Sequence, residues 1–241
     1  TLAELYPNRI DLGLGRAPGT NQATMRALRR DRVEAESDFP RDVAELQHLL
    51  ANPQPGQRLI AMPGAGTNVP IWLLGSSLFS AQLAAERGLP YAFASHFAPR
   101  LLLQALDMYR SNFRPSEKLA QPHVVVGLPL IAAPTDEEAH FLASSTYQRV
   151  LGILTGDRRR LLPPVENYME QRHPQERAAI VDFLACAVVG GPESVKAGLS
   201  AMSEATQADE FMLVCDVFDP ALRLRSLDIA AAACYSSKTI D

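Results

Sequence analysis

The chain has 241 residues, of which 47% are hydrophobic and 21% are charged, a balance typical of a globular protein with a substantial core. Its formal net charge of −4 argues against nucleic acid or an anionic membrane as a general partner, because neither is attracted to a negative field. No apolar run approaches the length of a membrane span, and no basic-then-apolar leader opens the chain. These features predict a cytoplasmic protein that does not insert into a membrane.

The three cysteines, Cys186, Cys215 and Cys234, are far apart and lie in or beside apolar runs. This pattern favours buried thiols of a reducing compartment over a disulfide framework or a metal site.

The first six residues, Thr1 to Tyr6, read as the last turns of a helix that is already under way and ends before Pro7. Because Thr1 is not a start methionine, we expect a chain that lacks the N-terminal part of its fold. A mature protein after processing is the alternative.

The first predicted strand, Ile10 to Leu14, stops in a loop that carries Gly15, Pro18 and Gly19. Arg16 stands where the strand becomes the loop. In α/β proteins, a charged residue at the end of a strand lies at the carboxyl edge of the sheet, where ligands bind. A surface salt bridge of Arg16 is the plainer interpretation.

A polar, arginine-rich stretch follows from Asn21 to Glu36 and is expected to cross the mouth of the fold. Asp38 and Pro40 then predict an N-cap and a proline near the first turn of a helix whose apolar face runs over 41–50. A short β segment is possible at Arg58 to Met62.

Four more units of strand and helix follow in the rest of the chain. The predicted helix that begins at position 135 continues to Leu154, and a polar, proline-broken insertion occupies Gly156 to Glu176 before the helix start at Gly191-Pro192. The predicted strands are Ile71 to Leu74, Leu89 to Ala94, Pro122 to Leu130 and Phe211 to Val217, and the helices that accompany them are 78–87, 100–113, 135–154 and 220–233.

Alternating strands and helices predict an α/β fold with a parallel sheet. Five units at these spacings suit a TIM (β/α)8 barrel that forms a single domain over residues 1–241, carries one insertion and lacks its first three strands upstream of Thr1. An open doubly wound sheet is the alternative.

The carboxyl ends of parallel strands meet on one face, which brings several polar residues together there. Arg16 offers a forked donor, Ser77 and Ser80 offer hydroxyls at the start of a helix, and Arg41 adds a second cation, which together predict a phosphate site. The plainer alternatives are an N-cap for Ser77 and a solvated arginine at position 41.

The remaining motifs for chemistry are weak. His96, at a strand end, is the best histidine to face a pocket, and none of the five histidines has metal-ligand spacing. The run Gly13-Leu14-Gly15-Arg16 lacks the third glycine of a dinucleotide fingerprint because Pro18 stands in its place.

Three runs of sequence, Tyr6 to Thr20 (YPNRIDLGLGRAPGT), Leu74 to Ser77 (LGSS) and Ala94 to Pro99 (ASHFAP), closely resemble the luciferase-like monooxygenase family, in its bacterial flavin-dependent oxidoreductase branch. The resemblance extends through Gly191 to Val195 (GPESV) and so covers nearly the whole chain.

The resemblance implies a luciferase-like TIM barrel that uses reduced FMN and O2 to oxygenate a small organic substrate, as a homodimer supplied by a separate flavin reductase. The phosphate-binding residues of the family fall on Arg16, Arg41, Ser77 and Ser80, and the residues that line the flavin ring or substrate fall on Ser95 and His96.

The family's first three strands would precede Thr1, so the catalytic residues remain unknown and we expect the chain by itself to be inactive. Two alternatives stay open: an oxidoreductase of the same superfamily that uses the deazaflavin F420, and a non-catalytic flavin-binding remnant.

Overall fold

The computed structural model describes residues 1–16, 27, 32–157 and 159–235, and within them strands alternate with helices. The strand pairs reported below are all parallel, which confirms the predicted α/β class. In chain order, the elements that position the site are α1 (Leu2–Leu5), β1 (Leu12–Gly15), α2 (Arg32–Leu50), β2 (Ile71–Gly75), α3 (Leu78–Arg87), β3 (Tyr91–Phe93), a 3₁₀ turn (Pro99–Leu101), α4 (Leu102–Ser111), β4 (Val124–Ala132), α5 (Asp136–Thr155), α6 (Pro174–Phe183), β5 (Val188–Gly190), α7 (Pro192–Thr206), β6 (Glu210–Val214) and α8 (Pro220–Tyr235).

All five predicted strands are present, with ends that differ from the prediction by up to three residues. The strand β5 was not predicted, because three residues are too few to show a period of two. The β segment suggested at Arg58 to Met62 is wrong: these residues form a loop in which the Leu59 and Met62 side chains are 65% and 77% exposed.

The predicted start of the second helix is also wrong. Helix α2 runs from Arg32 to Leu50, so Asp38 is not an N-cap and Pro40 lies inside the helix. A proline in the interior removes one donor of the helical ladder, and the carbonyl of Pro40 accepts a hydrogen bond from the Arg87 side chain at 3.0 Å. The predicted loop at 17–20 and most of the arginine-rich stretch after it lie outside the described residues.

The chain divides into two compact units. The first comprises residues 1–92 and 107–123, and in it β1 pairs with β2 from Leu12 opposite Ile71 to Gly15 opposite Leu74. Helix α3 packs on β2 and buries its small apolar face. The buried side chains of this unit include Val43, Leu73, Leu83, Tyr91 and Tyr109.

The second unit comprises residues 93–106 and 124–241 and is built around β4. All nine residues of β4 are buried, as expected of a continuous apolar strand covered on both faces. Its first part pairs with β6, where Val125 lies opposite Glu210, and its last part pairs with β5, where Leu130 lies opposite Val188. Helices α5, α7 and α8 cover this sheet with two apolar clusters.

Several other expectations can be compared with these elements. Between Gly156 and Glu176, the described residues before Pro174 form neither helix nor strand. Cys186 and Cys215 are half-buried free thiols, but Cys234 is exposed, so the expectation of a buried thiol is wrong there. No helix in the described part of the chain is long and apolar enough to cross a membrane. A single domain over residues 1–241 stays a prediction.

Candidate functional site

The ends of β1 and β2 lie side by side in the first unit. Gly15, the last residue of β1, pairs with Leu74, and β2 ends one residue later at Gly75. Helix α3 begins at Leu78 after a turn of two serines. Parallel pairing therefore places Arg16, which follows β1, at the same edge of the sheet as the N-terminus of α3.

The Arg16 side chain reaches the first turn of this helix. Its guanidinium carbon lies 4.2 Å from the centroid of the Phe79 ring, within the range of a cation–π contact. None of the ion pairs formed among the described residues includes Arg16. The guanidinium is therefore held in place by an aromatic ring, and no carboxylate in the described part of the chain neutralises its charge.

Ser77 is the N-cap of α3 and has an extended backbone, but its side chain does not cap the helix. Its Oγ atom instead lies 3.4 Å from the Oγ atom of Ser80. The first N–H groups of a helix have no partner within the helix, and here no side chain of the cap supplies one. These N–H groups, the positive end of the helix dipole and Arg16 together form a place that can bind an anion.

Ser80 stabilises the turn between β2 and α3, and its side chain is buried, with the residue only 3% exposed. Its hydroxyl donates to the carbonyl of Ser77 at 2.9 Å, and a side chain at Gly75 would overlap it. The Tyr91 hydroxyl also donates to the Ser77 carbonyl, at 3.4 Å. Burial raises the pKa of Tyr91 to about 12, partly offset by a hydrogen bond with Ser80, so the phenol is neutral at pH 7.

Arg41, the second predicted cation, lies in the tenth position of α2 rather than in the first turn of a helix. Its side chain is 72% exposed and forms an ion pair with Asp38 at 3.0 Å, one turn earlier. The predicted place of Arg41 at the start of a helix is therefore wrong, and its phosphate role stays a prediction that rests on the family resemblance alone.

Ser95 and His96 belong to the second unit and follow β3. The Ser95 hydroxyl is 1% exposed and donates to the carbonyl of Gly127 in β4 at 2.5 Å. Burial raises the pKa of the nearby Cys186 thiol, while a hydrogen bond with Ser95 acts in the opposite direction. The structure thus shows Ser95 holding the end of β3 to β4.

The imidazole of His96 packs against Gly127 and stacks with Phe97 at a centroid distance of 4.2 Å. Its Nδ1 atom is buried and has no hydrogen-bond partner among the described residues. Burial lowers the pKa of His96, and the Gly127 backbone opposes this shift. Of the ion-paired residues Arg149 and Asp216, Arg149 lowers the pKa further and Asp216 raises it. A neutral imidazole with one free nitrogen is what this environment favours.

Sequence reasoning missed two aromatic residues of the first site. Phe79 falls in an apolar helical pattern typical of the core, yet 36% of it is exposed and it carries the Arg16 guanidinium. Tyr91 was assigned only to a strand, although a tyrosine in an otherwise apolar strand usually needs a partner for its hydroxyl. No group of acidic, histidine or cysteine side chains in the described ranges is arranged to hold a metal ion.

Comparison with known proteins identifies the family and the fold of the chain. The sequence profile of the luciferase-like monooxygenase family matches residues 1–209. A luciferase-like monooxygenase of Escherichia coli strain K12 is 46% identical over 230 residues, which cover 95% of this chain and 69% of that protein. The crystal structure of apo-MsnO8 superposes with a TM-score of 0.79 at 31% identity, covering 97% of this chain and 70% of that one.

Two more distant structures share the fold. The oxygenating constituent of 3,6-diketocamphane monooxygenase from Pseudomonas putida, in complex with FMN, has a TM-score of 0.62 at 18% identity and covers 95% of this chain and 70% of its own. An F420-dependent secondary alcohol dehydrogenase has a TM-score of 0.64 at 13% identity, and the match covers 97% of this chain and 72% of that one. The fold is the α/β, TIM-barrel type that was predicted, and the chain belongs to the luciferase-like monooxygenase family.

Proposed function

We propose that the chain carries the phosphate-binding part of a flavin-dependent monooxygenase that uses reduced FMN and O2 to oxygenate a small organic substrate. The observation that carries this proposal is the position of the Arg16 guanidinium against the first turn of α3, where the helix N–H groups have no side-chain cap. A phosphate monoester bears close to two negative charges, and this place offers a full cation together with a helix dipole.

The residues present fit the phosphate of FMN. Arg16 would donate to it through its forked N–H groups, and the Ser77 hydroxyl, which caps nothing, would donate a further hydrogen bond. Ser80 would act by holding the Ser77 carbonyl and the turn in position. Arg41 would add long-range attraction once its side chain turns away from Asp38.

Reduced FMN would supply the electrons with which O2 is activated. Ser95 and His96 are proposed to line the ring or the substrate, with Ser95 fixed by its bond to Gly127 and His96 presenting a neutral imidazole. A cytoplasmic homodimer that receives its flavin from a separate reductase is part of the same proposal.

Binding of FMN to the Arg16→Ala variant tests the assignment of the phosphate site. Loss of a charge-assisted hydrogen bond costs about 1.5–3 kcal/mol, so we expect the Kd for FMN, measured by quenching of flavin fluorescence, to rise at least tenfold. Arg9→Ala is the matched control, because Arg9 is exposed, precedes β1 and stacks on Tyr6 at 5.8 Å. Equal affinity of the wild type and Arg16→Ala would contradict the assignment.

A deazaflavin-dependent oxidoreductase is the second candidate, favoured by the fold that the chain shares with the F420-dependent alcohol dehydrogenase. Titration of the wild type with F420 in place of FMN separates the two. If F420 binds at least tenfold more tightly than FMN, the cofactor assignment is overturned, while the phosphate role of Arg16 is then tested with F420.

A further inference from the structure

A cavity of about 350 Å³ in the second unit is not used by the proposed function. It lies between the C-terminal half of α5 and the segment that follows, up to position 172. Four of its lining residues are arginines and one is a carboxylate, namely Arg149, Arg159, Arg160, Arg172 and Asp157.

The carboxylates near these arginines do not balance their charge. Arg149 pairs with Asp216 at 2.5 Å, and Arg159 pairs with Asp157 at 2.7 Å, also donating through Nε to the same carboxylate. Arg160 forms no ion pair within the described part of the chain. The cavity therefore keeps about two positive charges, in a protein whose net charge is −4.

Two of the arginines also have buried donors without an acceptor. The Nε atoms of Arg149 and Arg172 are buried and make no hydrogen bond to any described residue. The Arg172 guanidinium lies 4.9 Å from the centroid of the Tyr168 ring, a cation–π contact that fixes its position. The packing that buries the Nε atoms also holds the two guanidinium groups in place, so their terminal N–H groups are the donors that an anion in the cavity would meet.

We propose that this cavity binds the phosphate group of a small phosphate monoester. A monoester phosphate carries close to two negative charges at pH 7 and so matches the residual charge of the cavity. Its three oxygens suit the forked donors of several guanidinium groups. Leu151, Leu162 and the ring of Tyr168 line the same cavity and provide apolar surface for the organic part of the ligand.

Calorimetric titration with phenyl phosphate tests this site. Arg160 is exposed and has no described ion pair, so Arg160→Gln removes one charge of the cavity without removing a core contact. We expect this variant to bind phenyl phosphate at least tenfold more weakly than the wild type. Arg177→Gln removes the same charge from an exposed position of α6 outside the cavity and is expected to bind like the wild type.

Two further measurements separate this site from the proposed FMN site. Arg16→Ala is expected to keep the wild-type affinity for phenyl phosphate, and benzoate, which has one charge, is expected to bind at least tenfold more weakly than phenyl phosphate. The proposal is overturned if Arg160→Gln and Arg177→Gln weaken binding equally, if Arg16→Ala abolishes it, or if benzoate binds as tightly.

Discussion

Ser77 and Ser95 each lie two residues after the end of a strand, yet their surroundings differ. After β2, the Ser77 hydroxyl does not cap the helix whose first N–H groups it adjoins, and the Arg16 side chain, which has no ion pair with a described residue, reaches the first turn of that helix. After β3, the Ser95 hydroxyl is buried and donates to the Gly127 carbonyl. The position of a polar residue at a strand end follows from topology, but its availability to a ligand depends on the acceptors that packing brings to it.

Gly127→Ala is expected to have the largest effect on stability of the substitutions proposed here, because Gly127 packs against His96 after the end of β3. An added Cβ would lie 2.8 Å from His96 Nδ1 inside a fully buried strand, and overpacking of this kind typically costs about 1–3 kcal/mol of stability. Gly15→Ala is the matched strand glycine, since its Cβ would meet nothing closer than 3.6 Å. Urea unfolding of both variants measures the difference, and equal stabilities would show that His96 yields easily.

Exchange of the two serines for alanine compares the strand ends directly. Ser95→Ala leaves the buried Gly127 carbonyl without its hydroxyl donor, so we expect a loss of about 0.5–1.5 kcal/mol in the free energy of unfolding and a smaller loss of FMN affinity than Ser77→Ala causes. Ser77→Ala is expected to do the reverse, weakening FMN binding several-fold with little change in stability. If Ser77→Ala destabilises the protein and leaves FMN binding intact, Ser77 is structural.

The pH dependence of stability probes His96. Burial lowers its pKa in the folded protein, so the unfolded chain takes up a proton more readily as the pH falls. Stability is therefore full above the ordinary histidine pKa of about 6.5 and decreases as the pH falls from there through the lowered folded pKa. In the His96→Gln variant, this contribution to the loss of stability at low pH should disappear. The His140→Gln variant, in which an exposed histidine is replaced, should keep it.

The smallest expected effect concerns Arg41. Asp38→Asn removes an exposed ion pair and should change stability by less than about 1 kcal/mol. If Arg41 attracts the flavin phosphate, its release from Asp38 should tighten FMN binding about two- to threefold at low salt. Unchanged affinity at low salt would place Arg41 outside the phosphate site.

Much of the fold could be predicted from local pattern. A compact apolar run such as Ile71 to Leu74 becomes a strand that buries Ile71 and Leu73, and Gly88 ends α3 in a left-handed conformation, as is common for glycine at helix C-termini. The start of α2 could not be predicted, because a proline after an aspartate looks the same at a helix start and inside a helix that begins earlier. The short strand β5 depends on the end of β4, which no local pattern reveals.

The site was predictable in position more than in chemistry. Strand-end reasoning predicted that Arg16, Ser77 and Ser80 lie close together, and in the structure Arg16 contacts Phe79 in the helix that Ser77 and Ser80 begin, while their phosphate role stays a prediction. The same reasoning could not foresee that the Ser95 hydroxyl is taken up by Gly127 or that Arg41 is engaged by Asp38, because both partners are set by packing and by helix register.

The ring of Phe79 gives the Arg16 side chain a preorganised position. An arginine tied to a carboxylate must break that pair before it binds an anion, and a freely rotating arginine loses rotamer entropy when it does so. A guanidinium that rests on an aromatic ring avoids both losses, because the ring neither neutralises its charge nor occupies all of its N–H donors. In this anion site, Arg16 therefore supplies the charge that attracts a ligand, and Phe79 supplies the rigidity that holds this charge in position.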